Sequence, residues 1–259
     1  LLLTSVIANG ASSFRQTYIT LDIPLPADRL DKDGRRDPAA MAGVSTFGYA
    51  PLLRDALLEQ IADLNITTTL PDKDVASMIS KEAAATLRNH VLANPHLVDG
   101  SVTMELLADG RIDGYFKGRV TLESAALDGN TSPEALEIAQ ALADAGVIDT
   151  RFNWQFLTAP DASDQRPEAA GLGVAILGSL YMMLVVLVLA LPIGVAASIY
   201  LEEFAPDNRL TQIIEININN LAAIPSILFG LLGLAIFINF FGVPRSSPLV
   251  GGMTLALMT

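Results

Sequence analysis

Two long uncharged stretches constrain the fold of this chain more than any other feature. Residues 169–201 contain no Asp, Glu, Lys or Arg, and neither do residues 216–244. A helix of about 20 apolar residues is long enough to cross the hydrocarbon core of a bilayer. Both stretches are therefore predicted to span a membrane, and a large polar region precedes the first of them.

Most of the charge lies ahead of these stretches. Residues 1–170 hold 14 of the 16 Lys and Arg residues and 24 of the 28 Asp and Glu residues, so the net charge of −12 belongs mainly to this region. An acidic surface disfavours nucleic acid and anionic lipid as partners. The sequence has no cysteine, which excludes disulfides, thiolate nucleophiles and cysteine-based zinc sites.

The polar region 11–167 combines strand patterns with helix patterns. Ser132 and Pro133 form a typical helix start, and Gly146 a typical helix end. The predicted elements are strands at 18–23 and 147–157, helices at 51–64, 74–93 and 132–146, and loops at 24–38 and 160–167. This mixture predicts a compact α+β domain.

A β-hairpin is predicted at 101–120. Asp109 and Gly110 separate two strand-like runs, and an Asp-Gly pair accepts the positive φ of a tight turn.

Small residues recur every four positions in the first uncharged stretch. They are Gly171, Ala175, Ser179, Ala190, Gly194 and Ser198. Such a stripe lets a second helix approach closely in lipid, although Gly and Ala are also simply frequent in membrane helices. We predict a helix-packing role for the stripe, and a kink at Pro192.

A polar segment lies at the start of the second uncharged stretch. Its notable residues are Asn217, Asn219, Asn220, Pro225 and Ser226. Polar groups and proline at bilayer depth are costly unless they face a pore or another helix. They are predicted either to line a translocation path or to form a hinge or cap at the helix start. The flanking segments are predicted as a polar loop at 201–209, a turn at 242–248 and a further span from 249.

No catalytic or metal-binding motif is apparent. The charged loop 31–37 has Gly34 too early for an EF-hand, and neither His90 nor His96 has carboxylates at metal-ligand spacing. Ser163 and Ser226 lack the glycines of a nucleophile elbow. We expect no catalytic residue, metal or cofactor in this chain.

Several motifs in the membrane region resemble those of a known family. The segments are GSL at 178–180, LPIGVA at 191–196, IYLEEFA at 199–205 and NLAAIPSILFGLLG at 220–233. In this order they resemble the permease subunit of bacterial phosphate ABC importers, the PstA family. The resemblance covers residues 171–259 and, more weakly, an extra N-terminal domain that some members carry.

The resemblance implies a fold and a set of partners. The fold would be mixed: a truncated helical transmembrane bundle like that of type I ABC importer permeases, plus an α+β insert. Phosphate would arrive from a periplasmic binding protein and pass between this chain and a second permease subunit. Two cytoplasmic ATPase subunits would bind ATP and Mg²⁺, so the chain itself would be no enzyme.

The resemblance also implies an orientation, which the few Lys and Arg residues in the short loops leave open. The protein would lie in the bacterial inner membrane as a multi-pass subunit. Residues 1–10 would end a first membrane helix, 11–167 would form a periplasmic domain, and 168–259 would hold spans at about 171–200, 222–241 and 249–259. The loop 201–209 would be cytoplasmic.

A membrane-anchored extracytoplasmic sensor or ligand-binding protein is the alternative. Its insert would bind a ligand and signal through the helices. The residues that follow Thr259 would discriminate the two: the permease requires an ATPase-coupling loop there, together with further spans, and the sensor a cytoplasmic output domain. The predicted fragment lacks that loop, and we assign its insert no function from sequence.

Overall fold

The structure, a computed structural model, describes Thr4 and residues 10–161, 166–222 and 224–258. The predicted end of a first membrane helix at 1–10 lies outside the described residues except for Thr4 and Gly10, and Ser163 also lies outside them. The chain forms two compact units, Leu1–Gly173 and Val174–Thr259.

The first unit is an α+β domain. Its strands are β1 (Arg15–Pro24), β2 (Ser101–Leu107) and β3 (Ile148–Phe152). Its α-helices are α1 (Ala27–Leu30), α2 (Pro38–Met41), α3 (Thr46–Asp63), α4 (Asp72–Ala76), α5 (Ala83–Ala93), α6 (Gly110–Phe116), α7 (Leu122–Ala125), α8 (Pro133–Asp144) and α9 (Gln155–Thr158). Short 3₁₀ turns occupy Ser12–Phe14, Pro95–Leu97 and Pro167–Ala169.

The described strands form one antiparallel sheet in the order β2-β1-β3. Side chains alternate along β1, so that Ile19, Leu21 and Ile23 are buried on one face while Asp22 is exposed on the other. The buried face carries the core of the unit. Helices α3, α5 and α8 contribute fully buried leucines to the same core, each stabilising the fold by about 1.5–3 kcal/mol.

Helix α8 confirms the predicted helix at 132–146. The Ser132 hydroxyl accepts a hydrogen bond from the Ala135 N–H, and Pro133 occupies the first helical turn. Gly146 follows the helix with a φ of +79°, a conformation that side chains rarely adopt. The boundaries were predictable because all three signals are local.

The predicted hairpin at 101–120 is wrong in its second half. Residues after β2 form helix α6, because the Asp109 carboxylate accepts a hydrogen bond from the Arg111 N–H and caps the helix. The helix ends before Gly118, whose φ is +72°. The Asp-Gly pair is therefore a helix start and not a β-turn.

The continuous helix predicted at 74–93 is broken into α4 and α5. Between them, Ile79 forms a β-bridge with Ala108. The Ser80 N–H donates to the Leu107 carbonyl at 2.9 Å, and the Asp109 N–H donates to the Met78 carbonyl at 2.8 Å. These long-range bonds to the end of β2 replace one helical turn.

Two further boundaries differ from the prediction. The strand predicted at 147–157 ends at Phe152, because the Asn153 side chain accepts from the Phe156 N–H and begins helix α9. The loop predicted at 24–38 contains helix α1. In both cases a short helix of four residues is too brief to leave a periodic pattern in the sequence.

The described part of the second unit contains α-helices, most of them apolar. They are α10 (Gly173–Ile199), which begins at the boundary, α11 (Arg209–Ala222), α12 (Ser226–Gly233) and α13 (Pro248–Met258), with π-helical turns at Tyr200–Phe204 and Leu234–Phe240. Within the described residues, one helix, Gly173–Phe204, is long and apolar enough to cross a membrane. A bent pair, Arg209–Leu221 with Ser226–Phe240, meets the same criterion as one span.

The polar loop predicted at 201–209 is shorter than expected. The helix continues through Pro192 and its final π-helical turn reaches Phe204. Asn208 then begins α11, since its side-chain oxygen accepts hydrogen bonds from the N–H groups of Leu210 and Thr211. The loop is therefore limited to residues 205–208.

Glu134 in the first turn of α8 provides a test of the fold by pH. Its carboxylate accepts hydrogen bonds from the Thr69 hydroxyl, the Thr69 N–H and the Thr68 hydroxyl, which lower the pKa of Glu134 below its ordinary value of 4.5. A lowered folded-state pKa stabilises the fold above pH 4.5, and this contribution is lost as the pH falls through the lowered value. Glu134→Gln should therefore lower the melting temperature at pH 7 and have progressively less effect below pH 4.5.

The matched control is Glu137→Gln, at an exposed position on the same helix. Thermal unfolding followed by tryptophan fluorescence measures this unit selectively, because Trp154 is the sole tryptophan of the chain. A difference between Glu134→Gln and the parent chain that stayed constant from pH 7 to pH 3 would contradict the assigned role of the carboxylate.

Candidate functional site

The polar residues predicted for a translocation path lie on α11 and at the start of α12. The Asn217 amide donates to the Ile213 carbonyl at 2.7 Å, one turn earlier on the same helix. Asn219 and Asn220 are exposed at the end of α11. Their amides are thus available to a partner helix or to a polar solute.

Pro225 and Ser226 form the start of α12. Pro225 has an extended ψ of 132° and precedes the first helical residue, Ser226. The Leu228 N–H donates to the Pro225 carbonyl at 2.9 Å. Both residues thus lie at a helix start, and the choice between a path-lining role and a hinge or cap stays a prediction. Ala223 and the side chain of Ala222 lie outside the described residues.

The small residues of the predicted stripe lie in different environments. Gly171 lies in the first unit, where its N–H donates to the Pro160 carbonyl at 2.9 Å. Ala190 and Gly194 line a cavity of about 320 Å³ with Phe237 and Met253. Ala175, Ser179 and Ser198 are exposed. The packing role of the stripe stays a prediction.

Close helix packing in the second unit involves glycines that the sequence analysis did not single out. A Cβ added to Gly252 would lie 2.7 Å from Val185 Cβ and 3.0 Å from the Met182 carbonyl oxygen. Gly251 approaches Met182 similarly, and Gly233 of α12 packs directly against Thr254 of α13. These contacts show a small-residue interface on α13, whose glycines could have been found by the same spacing rule.

A buried ion pair stands out in the first unit. Asp113 on α6 and Lys117 one turn later are 2.5 Å apart, and their side chains are only 2% and 5% exposed. The other Asp113 oxygen accepts a hydrogen bond from the Thr17 N–H at 3.0 Å. The carboxylate thus continues the hydrogen bonding of β1 beyond the end of β2.

This ion pair borders a cavity of about 400 Å³ with several charged and amide side chains in its lining, which we call the acid–base cavity. The charged and amide side chains that line it are Gln16, Asp113, Lys117, Arg119, Asn153 and Glu168. Strand β1, helix α6, the end of β3 and the turn Pro167–Ala169 position them. All of these elements belong to the first unit.

Two buried side chains in this cavity each have one polar atom without a hydrogen-bond partner among the described residues. Gln16 is 1% exposed, and its Oε1 accepts from the Asn153 amide at 3.2 Å, yet its Nε2 has no acceptor there. Glu168 is 6% exposed; one oxygen accepts from the Ser80 hydroxyl, and Oε2 has no donor. Such groups cost free energy unless a ligand or ordered water satisfies them.

A larger cavity of about 730 Å³ lies beside α3 and α5. Its cationic lining residues are Arg54, Lys81, Arg111 and Arg166. The three arginines already contact carboxylates: Arg54 with Asp55, Arg111 with Asp128, and Arg166 with Glu82. Because the three arginine charges are already paired, the larger volume does not make this cavity a better candidate ligand site than the acid–base cavity.

The charged loop at 31–37 forms an ordinary turn. The Arg36 N–H donates to Asp31 at 2.8 Å, and Gly34 has a φ of +64°. Among the residues described by the structure, no group of three or more His, Asp or Glu side chains is placed to hold a metal ion.

Comparison with protein families finds a match in the first unit, to a domain model without assigned activity. Residues 1–126 match the model described as "Domain of unknown function (DUF3333)". The match ends before α8 and β3. No solved structure matches the chain significantly.

Curated proteins similar to this chain are named as transporter subunits. Probable ABC transporter permease protein YqgI of Bacillus subtilis (strain 168) is 30% identical over 36% of this chain and 31% of its own length. Phosphate transport system permease protein PstC is 42% identical in Haemophilus influenzae, over 30% of this chain and 24% of the relative. The PstC of Pasteurella multocida is 37% identical over 35% of this chain and 28% of the relative.

All three are permeases by name. The chain spans between about a quarter and a third of the length of each of these relatives. The similarity supports the resemblance to ABC transporter permeases in its general form. The two phosphate permeases carry the name PstC, whereas the motifs of the membrane region resemble PstA.

Proposed function

We propose that this chain is part of a permease subunit of an ATP-driven importer. The similarity to three proteins named as ABC transporter or phosphate transport permeases carries the proposal. The long uncharged helix Gly173–Phe204 supports it, because a helix of that length and composition suits a membrane span. In this role the chain performs no catalysis and holds no cofactor; partner ATPases bind ATP and Mg²⁺.

Inorganic phosphate is the proposed cargo. Two of the relatives are named as phosphate transport permeases, and the motif series at 178–233 resembles PstA. The PstC relatives and the PstA family are both described as phosphate permeases. The proposal of phosphate as cargo therefore does not depend on which of the two this chain resembles more. The acidic first unit would not attract this anion at long range, which suits delivery by a separate binding protein.

The proposed assembly places the chain in a bacterial inner membrane as a multi-pass subunit. A second permease subunit completes the translocation path, two cytoplasmic ATPases drive it, and a periplasmic phosphate-binding protein supplies it. Residues 11–167 lie in the periplasm, while 168–259 belong to the membrane region with spans at about 171–200, 222–241 and 249–259. Residues 1–10 end an earlier span.

Within this assembly the polar residues of α11 and α12 face the path. Asn219 and Asn220 are exposed in the isolated chain, and Pro225 leaves the backbone open at the start of α12. Polar groups at this depth are stabilised by a water-filled path or by a partner helix. The stripe that includes Ala190 and Gly194 packs against a neighbouring helix.

Uptake of radioactive phosphate tests the proposal. The parent is a strain that still takes up phosphate after its other known importers are deleted. Deleting the gene in this parent should abolish uptake under phosphate limitation, and the intact gene should restore it. Sulfate uptake should remain unchanged and serves as the specificity control. Membrane vesicles that contain the complete assembly should show ATP hydrolysis stimulated by the phosphate-loaded binding protein.

The sensor alternative gives a different result in the same strains. If the chain signals and does not transport, deletion leaves phosphate uptake at the parental rate while the transcriptional response to a ligand disappears. Retained uptake in the deletion strain therefore overturns the permease proposal.

A further inference from the structure

We propose that the acid–base cavity of the first unit binds a small zwitterionic solute of the α-amino acid class. This activity goes beyond transport, and it would give a function to a unit whose family description names none. The starting observation is the pair of buried side chains, Gln16 and Glu168, that line the cavity with an unsatisfied donor and an unsatisfied acceptor among the described residues.

The donor groups of the cavity suit a carboxylate. Gln16 Nε2 is an amide donor without a protein acceptor in the described part of the chain. Lys117 has three ammonium donors, of which Asp113 takes one at 2.5 Å. Arg119 also lines the cavity, and its half-exposed guanidinium lies 3.7 Å from Asp113, so it adds a second cation to the lining. Donors of this kind form strong hydrogen bonds with the two oxygens of a carboxylate.

The acceptor group suits an ammonium. Glu168 Oε2 is buried and has no donor among the described residues, while the Ser80 hydroxyl occupies the other carboxylate oxygen. An ammonium group would supply both the missing hydrogen bond and the missing positive charge. Glu168 Oε2 packs closely against Gly110, where an added Cβ would lie only 3.1 Å from this oxygen, so a side chain at position 110 would crowd it.

The charge balance of the lining selects a ligand without net charge. Asp113 and Glu168 offset Lys117 and Arg119 in formal charge. A zwitterion preserves this balance and places each of its ends against the opposite sign. Inorganic phosphate would bring a net negative charge next to two buried carboxylates, which is unfavourable. The cavity therefore fits an amino acid better than it fits the proposed cargo.

The volume is consistent with a small organic ligand. About 400 Å³ lies within the range of ordinary ligand pockets, toward its lower end. Ordered water is the competing occupant, since it too satisfies isolated buried donors and acceptors. Water explains the geometry but predicts no stabilisation by added solute, so the two occupants are distinguishable.

The test is ligand-induced stabilisation of the chain in detergent micelles. Unfolding of the first unit is followed by the fluorescence of Trp154, which lies next to the cavity residue Asn153. The probes are L-alanine, L-serine and L-glutamine. Propionate, ethylammonium and inorganic phosphate serve as control ions, which carry charge of one sign only. An amino acid at about 100 times its Kd should raise the melting temperature by about 5–10 °C. The control ions should give much smaller shifts.

Three variants separate binding from folding. Glu168→Gln should weaken amino acid binding at least about tenfold while leaving the unliganded melting temperature equal or higher, because it removes an uncompensated buried charge. Arg119→Gln, at a half-exposed position, should also weaken binding without unfolding the unit. Glu137→Gln makes the same chemical change on the exposed face of α8 and should bind like the parent chain.

The proposal is overturned by any of three results. The first is no stabilisation of the parent chain by any of the three amino acids, which would leave water as the occupant. The second is an equal shift in the parent chain and in both Glu168→Gln and Arg119→Gln. The third is stabilisation by phosphate or propionate as large as that by an amino acid. None of these results bears on phosphate uptake, so failure here leaves the permease proposal intact.

Discussion

Replacing Asp113 by Asn should destabilise the first unit by about 3–5 kcal/mol, because it removes one partner of a buried ion pair. Lys117 would remain with its side chain only 5% exposed and no carboxylate at 2.5 Å. The Arg119 guanidinium, 3.7 Å from Asp113, is half exposed and can reach water instead. The cost therefore comes chiefly from the uncompensated charge of Lys117.

Asp113 also supports the sheet, which increases the expected effect. The Thr17 N–H lies beyond the end of β2 and donates to Asp113 at 3.0 Å in place of a strand carbonyl. Thr17 and Lys117 contact different oxygens of Asp113, and an asparagine side chain has only one oxygen to replace them. One of the two buried donors would therefore have a weaker hydrogen bond than in the parent chain.

Urea unfolding measured by Trp154 fluorescence gives the free energy directly. Asp63→Asn is the matched control, because Asp63 is exposed at the end of α3 and should change stability little. The double variant Asp113→Asn with Lys117→Met should recover part of the loss, since it removes both charges. A stability of Asp113→Asn equal to that of Asp63→Asn would contradict this account.

Replacing Gly252 by Leu should have the largest effect in the second unit. The Cβ alone would lie 2.7 Å from Val185 Cβ, and a backbone oxygen at 3.0 Å limits movement on the other side. Side chains of this size force packed helices apart and cost about 1–3 kcal/mol or more. Helix α13 would then lose its close approach to α10.

Gly194→Leu is the informative control for this variant. Gly194 belongs to the small-residue stripe of α10, yet no atom lies within 4 Å of a Cβ added there. In the isolated chain it should tolerate leucine. The fraction of protein that remains monodisperse after heating in detergent, measured by size-exclusion chromatography, should fall for Gly252→Leu and stay near the parent value for Gly194→Leu. The reverse order would show that the stripe, and not α13, forms the tighter contact.

The elements that sequence predicted well are those specified by local signals. Helix α8 has its cap, its proline and its terminal glycine within 15 residues, and the structure matches all three. The apolar helix Gly173–Phe204 was equally visible, because no charge interrupts residues 169–201. Local patterns predicted the wrong structure where the backbone bonds to a distant segment. Ile79, for example, pairs with Ala108 and does not continue the predicted helix.

The acid–base cavity was only partly visible in the sequence. Asp113 and Lys117 have the i, i+4 spacing of a helical ion pair, but the hairpin prediction assigned them to a strand, where they would not meet. Gln16 and Glu168 are separated by more than 150 positions, and no local pattern links them. Their proximity depends on the folded unit, so a single sequence could not reveal it.

The arrangement of the sheet determines when this unit can complete its folding. Strand β1 is central, and its partner β3 lies more than 120 residues later, so closing that edge must wait for nearly the whole unit to be synthesised. A fragment cut at residue 126, where the family match ends, would lack both α8 and β3. It would expose one edge of the central strand and part of the core, and an unpaired edge of this kind promotes aggregation. The folding unit is therefore longer than the segment that matches the family model.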